Sequence, residues 1–272
     1  VAAVLAALVF GALFLKLSGF DPPTVYGGMW RGAFGDAYGL SETLVKAIPI
    51  ALCAMGITVA FRMALWNIGA EGQLYAGAMA AAGLALSFPD SPALVLLPAM
   101  VAAGMAAGAL WALIAAIPRA WLGANEILTT LMLNYVAIFF SEYLIHGPWK
   151  DPAGFNFPLS PALSEAARLP ALGDTRIHAG ILFALAAAAV LTVALRKTTW
   201  GYEVRLIGSN PVAARYAGVS IPRHILIALA VSGALAGMAG MAEVSAITGR
   251  LQYGLSPGYG YSAIIVAWLA KL

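Results

Sequence analysis

Ionisable side chains are too rare in this chain to cover a water-facing surface, and that scarcity decides the fold class before any local pattern is read. Only 10% of its 272 residues are Asp, Glu, Lys or Arg, and 62% are hydrophobic. Soluble globular domains carry about 25% charged and roughly 45–50% apolar residues. So few charges cannot clothe a water-soluble ball of this length. The high apolar content excludes a disordered chain, and neither a Gly-X-Y period nor a heptad points to a fibre. Outer-membrane barrels show short alternating segments, whereas the apolar runs here are long and rich in Ala, Leu and Gly. The chain therefore reads as an all-α, polytopic bundle of transmembrane helices. At about 20 apolar residues per crossing, it has room for up to about eight spans. A single cysteine, Cys53, excludes a disulfide framework. The formal net charge of +3 is too small to imply nucleic acid.

Val1–Leu17 reads as the end of a first span, followed by a loop, Phe20–Ser41, holding Asp-Pro-Pro and the interfacial aromatics Tyr26, Trp30, Phe34 and Tyr38. Further spans are predicted at Thr43–Trp66, Asn67–Phe88, Ala93–Ile117 (stopping at Pro118-Arg119) and Asn125–Ile145. The proline-rich polar stretch Gly147–Ile177 must lie outside the membrane. A sixth span at Ala179–Leu195 leads to a second polar stretch, Thr198–His224, then a seventh span at Ile225–Ala246. Thr248–Tyr259 is Gly-rich and broken, and an eighth span begins near Tyr261. The chain lacks an initiator Met and stops at Leu272 inside an apolar run, so a piece of a longer protein is expected, truncated at both ends.

Alternating the spans puts Arg62, Arg119, Arg196, Lys197, Arg205, Arg215 and Arg223 on one side. The other side receives Lys16, Arg31, Lys46, Lys150, Arg168, Arg176 and Arg250, together with most of the acids, among them Asp174. Counts of basic residues are even before Lys271, so the cluster Arg196–Arg223, flanking two span ends, decides that the first side is cytoplasmic. His146, His178 and His224 are scattered and read as interfacial.

Gly104-x-x-x-Gly108 and Gly233-x-x-x-Gly237, the latter followed by Gly240, let helix backbones approach closely and are assigned to the bundle core. The third span opens Asn67-Ile-Gly-Ala-Glu-Gly-Gln-Leu-Tyr75, where Asn67, Glu71, Tyr75, Ala78 and Ala82 fall on one narrow face. In the fifth, Glu126, Thr130, Asn134, Ala137 and Ser141 do the same. Polar groups on an apolar helix are costly unless they face a cavity or a protein partner. Two matching stripes suggest a passage; the alternatives are hydrogen bonds to neighbouring helices, or glutamates at the water interface. In Thr198–His224, Asn210-Pro211 is a helix-start signal and Gly218 a left-handed stop, bracketing a short helix over Val212–Ala217. Such a helix on the basic side suits docking of a cytosolic partner, or else lies on lipid headgroups with Arg205 and Arg215 at the phosphates.

Three segments carry a family resemblance: Asn67-Ile-Gly-Ala-Glu-Gly-Gln-Leu-Tyr-Ala-Gly-Ala78, Asn125-Glu-Ile-Leu-Thr-Thr-Leu-Met-Leu-Asn-Tyr135 and Gly208-Ser-Asn-Pro-Val-Ala-Ala-Arg-Tyr-Ala-Gly218. Together they resemble the permease subunits of bacterial ABC importers in the branched-chain amino acid, ribose and nucleoside group, most of all the nucleoside and simple-sugar permeases. The resemblance runs from about Ile48 to the end. It implies one transmembrane permease domain over residues 1–272, with an external loop at 147–178 and a cytoplasmic coupling loop at 198–224. It also implies a second permease subunit (the same or homologous), cytosolic ATPase subunits, an external substrate-binding lipoprotein, and a multi-pass place in the bacterial cytoplasmic (inner) membrane. ATP and Mg would sit on the partner subunit, since no phosphate loop occurs in this chain.

On this reading the chain is a transporter subunit, not an enzyme, with no catalytic or metal-ligating residues. It moves a small polar solute, a nucleoside first and a simple sugar next, by alternating access. Asn67, Glu71, Tyr75, Asn125, Glu126, Thr130 and Asn134 are the expected substrate pathway. Gly208, Asn210, Pro211, Ala213, Ala214, Arg215, Tyr216 and Gly218 are the expected ATPase-coupling residues. The alternatives are the same role for branched-chain amino acids, or a secondary transporter in which Glu71 or Glu126 carries protons; the latter has no need of a docking helix at Asn210.

Overall fold

The computed structural model describes residues 2–173 and 175–270, and it is a helical bundle. Asp174 and Lys271, which entered the sidedness argument, and the Leu272 end lie outside the described residues. Helix α1 (Ala2–Leu17) is joined to α2 (Pro22–Phe34) by a bend of 119°. The predicted loop Phe20–Ser41 is thus largely helix, because its aspartates act as caps. Asp21 accepts from the Thr24 amide at 3.1 Å ahead of Pro22-Pro23, and Asp36 accepts from the Gly39 amide at 2.6 Å to start α3 (Ala37–Phe61). A turn through Arg62–Gly69, with Ala64 at φ +56°, leads to α4 (Ala70–Ser87).

Helix α5 (Ala93–Leu122) does not stop at Pro118-Arg119 as expected. A proline removes one N–H without ending the turns beyond it, and the helix runs on to Gly123 at φ +67°. Helix α6 (Glu126–His146) follows, then the polar stretch with a 3₁₀ turn at Glu165–Ala167, then α7 (Gly180–Lys197). Two short helices, α8 (Thr199–Ser209) and α9 (Pro211–Tyr216), occupy the second polar stretch. Helix α10 (Ile221–Ala242) starts a turn earlier than predicted and continues as a π-helical turn, Glu243–Thr248; α11 (Tyr259–Leu269) closes the described chain.

Helices α3, α5, α6, α7 and α10 with its extension are each long and apolar enough to cross a membrane, and the bent α1–α2 pair qualifies only if taken as one span. The remaining expected spans correspond to α4, whose first turns are polar, and to α11, of which 11 residues are described. The expected eight is therefore an approximate count.

The centre of the bundle is α4, enclosed by α5, α6, α10 and α11. The two small-residue faces meet one another: a Cβ on Gly237 would overlap the carbonyl of Gly104, and one on Gly240 would overlap that of Leu74. Backbones this close exchange dispersion contacts that side chains would hold apart.

At one end of the bundle the polar stretch docks on the chain after α10. The Ser160 amide donates to Leu251 O at 2.8 Å, the Leu163 amide to Gly249 O at 2.9 Å, and Arg176 pairs with Glu42 at 3.0 Å. His178 and His224 stand at the starts of α7 and α10, and both are buried against the protein. His178 accepts from the Gly180 amide at 3.1 Å, and burial brings its imidazole down to about 4. His224 lies 2.8 Å from Glu203, tying α10 to α8 at the opposite, basic end.

Candidate functional site

Helix α4 begins inside the protein, so its first amides need acceptors that water cannot supply. Asn67 supplies the first. Its Oδ1 accepts from the Gly69 amide and from Gln73 Nε2, both at 3.0 Å, while its Nδ2 donates to Gln73 Oε1 at 3.0 Å and to Ser232 Oγ on α10 at 2.8 Å. Every donor and both acceptor positions of this buried amide are occupied. Gln73 and Ser232 were not singled out in the sequence, although Gln73 stands within the quoted motif.

Helix α6 supplies the rest through its stripe. Glu126 Oε1 accepts from the Trp66 amide at 3.4 Å, and its other oxygen lies 3.1 Å from Arg119 Nε at the end of α5. Thr130 Oγ1 donates to Glu126 O at 2.6 Å and accepts from the Ile68 amide at 3.3 Å. Asn134 Oδ1 accepts from the Gly72 amide at 2.8 Å, while its Nδ2 donates to Ile68 O at 2.9 Å and to the Tyr261 hydroxyl at 3.2 Å. The spacing i, i+4, i+8 thus places three polar groups along the incoming strand of chain at Trp66–Gly72. Gly72 permits the approach, because a Cβ there would stand 2.8 Å from the Asn134 Cα. Asn125 caps α6 itself, accepting from the Ile127 amide at 2.9 Å and the Leu128 amide at 3.4 Å.

The opposite side of α4 reaches α11. Glu71 Oε2 accepts from the Gly260 amide at 2.7 Å, in the first turn of α11, where the helix dipole favours a carboxylate. The Tyr75 hydroxyl accepts from the Ser256 amide at 3.4 Å. Asn67, Glu71, Tyr75, Glu126, Thr130 and Asn134 therefore converge on one buried polar junction around the start of α4, and Asn125 stands at its edge.

One ionisable group, Glu243, escaped the sequence reading and is buried in the π turn; Lys46, counted there only for sidedness, donates to the Tyr259 hydroxyl at 2.9 Å. The signal for Glu243 was present, since an acid inside a predicted span is a candidate by default. Among the described residues, no group of three or more His, Cys, Asp or Glu lies together closely enough to hold a metal ion.

The basic end carries the second candidate surface. Asn210 accepts from the Val212 and Ala213 amides, both at 3.0 Å, Pro211 takes the first helical position, and Gly218 adopts φ +78° beyond the end. Ala214 faces inward and is fully buried, whereas Val212, Arg215 and Tyr216 are exposed, the last at 91%. Arg205 is turned away from this surface and donates to Leu195 O at the end of α7. On α8, Gly208 is packed so tightly that a Cβ would overlap Arg62 O. A cavity of about 700 Å³ lies between α9, the Met63–Leu65 turn, Arg119 and the start of α10. The Arg62–Trp66 turn is therefore touched by α8 on one side and by Glu126 on the other.

The family described as "Branched-chain amino acid transport system / permease component" matches residues 39–272. The glucose ABC transporter permease protein TsgB13 of Haloferax volcanii is 40% identical over 98% of this chain and 73% of its own length. The guanosine ABC transporter permease protein NupP of Bacillus subtilis is 35% identical, over 98% of this chain and 77% of its own. The nucleoside ABC transporter permease protein NupB of Lactococcus lactis subsp. cremoris is 34% identical, over 88% and 68%. No solved structure matches the chain significantly.

Proposed function

We propose a cargo, a set of partners and a coupling route for a chain that belongs to the branched-chain amino acid transport system permease-component family and is the membrane permease subunit of an ABC transporter. The cargo is a small polar solute, a nucleoside first and a simple sugar second. Relatives bearing guanosine, nucleoside and glucose in their names support this, as does a junction built largely of neutral amides and hydroxyls. The partners are a second permease subunit, two cytosolic ATPase subunits that carry ATP and Mg, and an external binding lipoprotein. The setting is the cytoplasmic membrane of a bacterium, with 147–178 outside and 198–224 inside.

The expected pathway residues divide by what they hold. Glu71, Tyr75 and Asn134 link α4 or α6 to the chain around α11 and would border the passage. Asn67, Asn125, Glu126 and Thr130 brace the helix starts and act as positioning residues. The observation that carries the coupling route is the Arg62–Trp66 turn, which stands between α8 and Glu126. Closure of the ATPases would move α9, α8 would press the turn, and the turn would shift the start of α4. ATP drives this only by binding the closed ATPase pair more tightly than the open one.

The test uses the exposed face of α9, because Ala214 is buried in the subunit itself and a charge there would disturb the fold. In the reconstituted transporter, Val212→Asp with Tyr216→Asp should weaken docking by about 2 kcal/mol or more, roughly thirtyfold. Uptake and substrate-stimulated ATP hydrolysis should fall together, with the subunit still present in the membrane. Normal uptake by this variant would remove the coupling assignment. Competition by unlabelled guanosine, glucose and leucine against the transported solute ranks the cargo classes directly.

A further inference from the structure

A groove of about 350 Å³ opens between α3, α7 and α8, lined by none of the residues that line the cavity beside α9. Its two ends differ in chemistry: Arg62, Arg196 and Arg205 gather at one, Met55 and Ala188 stand at the other, and Thr58 lies between. Met55 precedes Arg62 on α3, and Ala188 precedes Arg196 on α7, each by about two turns. At 1.5 Å per residue the groove runs roughly 10–12 Å along both helices.

The basic end carries guanidinium donors that no protein acceptor takes up. The Nε of Arg62 is buried without a hydrogen-bond partner. Arg205 is fixed by its bond to Leu195 O, which leaves its other guanidinium protons for a further acceptor. Among the described residues, no carboxylate pairs with any of these three arginines. Three guanidinium groups around one small volume raise the local positive potential, and their planar forks suit phosphate oxygens. A free anion would need only that end. The less polar continuation along two spanning helices suits the first part of an acyl chain lying parallel to them, the rest of the chain extending into the bilayer.

We propose that this groove binds one anionic phospholipid, its headgroup phosphate held by Arg62, Arg196 and Arg205 and an acyl chain laid over Met55 and Ala188. The proposal rests on the cytoplasmic placement of the basic end, where anionic lipid is recognised by basic pockets between transmembrane helices. It does not depend on the cargo.

Native mass spectrometry of the purified transporter, delipidated and titrated with phosphatidylglycerol or phosphatidylcholine, tests it without any transport measurement. Phosphatidylglycerol should be retained in preference to phosphatidylcholine. Arg196→Gln should weaken retention roughly fivefold and Arg196→Gln with Arg205→Gln about 25-fold. Because Arg205 also holds Leu195 O, a size-exclusion profile like the wild type's is required of the double variant. Arg223→Gln, a basic residue outside the groove, should leave it unchanged. Equal retention of the two lipids, or unchanged retention in the double variant, overturns the proposal. So does inorganic phosphate binding to lipid-free protein with the same arginine dependence and resisting displacement by phosphatidylglycerol, which would make the occupant a free anion.

Discussion

Helices α4 and α6 each carry a polar stripe at helical spacing, and the fold treats the two in opposite ways. α6 buries Glu126, Thr130, Asn134, Ala137 and Ser141 and turns Leu128, Met132, Val136 and Phe139 outward. In α4 every residue from Ala70 to Met79 is buried, whatever face it stands on. An amphipathic pattern marks a helix only when one side meets a different solvent. For α6 the stripe therefore names the inward face. For α4 it names nothing, because Gly72 takes the side against α6 and Gly77 the side against α10, while Asn67 just before the helix reaches α10 and Glu71 reaches α11.

The contrast can be broken most severely at the crowded side of α4. Gly240→Leu should prevent the bundle from closing, since even a Cβ collides with the Leu74 backbone; the readout is loss of the monodisperse peak in detergent size-exclusion chromatography. Recovery of normal yields would show that α10 can stand off from α4. A smaller effect is expected on the α6 stripe. Asn134→Leu leaves the buried Gly72 amide and Ile68 carbonyl without partners and should lower stability by about 1–3 kcal/mol each way it is measured, by thermal shift or denaturant. The smallest change should come from the outward face: Phe139→Ala should stay within about 0.5 kcal/mol in the same assay. If Phe139→Ala costs as much as Asn134→Leu, the two faces of α6 are not different environments and the comparison fails.

Glu126→Gln sharpens the same contrast functionally. It keeps the acceptor for the Trp66 amide and removes the charge facing Arg119. Uptake should fall modestly, with no pH dependence gained or lost, and the check is initial uptake rate between pH 6 and 8 at fixed ATP, a window around the usual histidine range. Uptake that follows a proton gradient and survives ATP depletion would contradict an ATP-driven permease.

Local signals were legible where they act locally. Asn210-Pro211 and Gly218 bracket α9 in the sequence as they do in the fold. The Asp21-Pro22-Pro23 signal was equally good and starts α2, but surrounding glycines and aromatics made the segment read as a loop. The stripe on α6 was visible because its neighbours are apolar. Its partners were not, since Trp66, Ile68, Gly72 and Tyr261 meet it only through packing between segments far apart in the chain. The small-residue spacings announced close approach without saying which helices would meet.

The start of α4 has a consequence for biosynthesis. The Gly72 amide, like those of Trp66 and Ile68 just before the helix, is satisfied by a side chain of α6, and Asn134 follows Gly72 by 62 residues. At about 5–20 residues per second, a ribosome needs roughly 3–12 s to make that stretch. During this interval α4 emerges with polar first turns and without the acceptors that would let it rest in lipid. The start of α4 is therefore expected to settle in the bilayer only once α6 has been made, and a chain stopped before α6 should leave that segment open to water-borne labelling reagents.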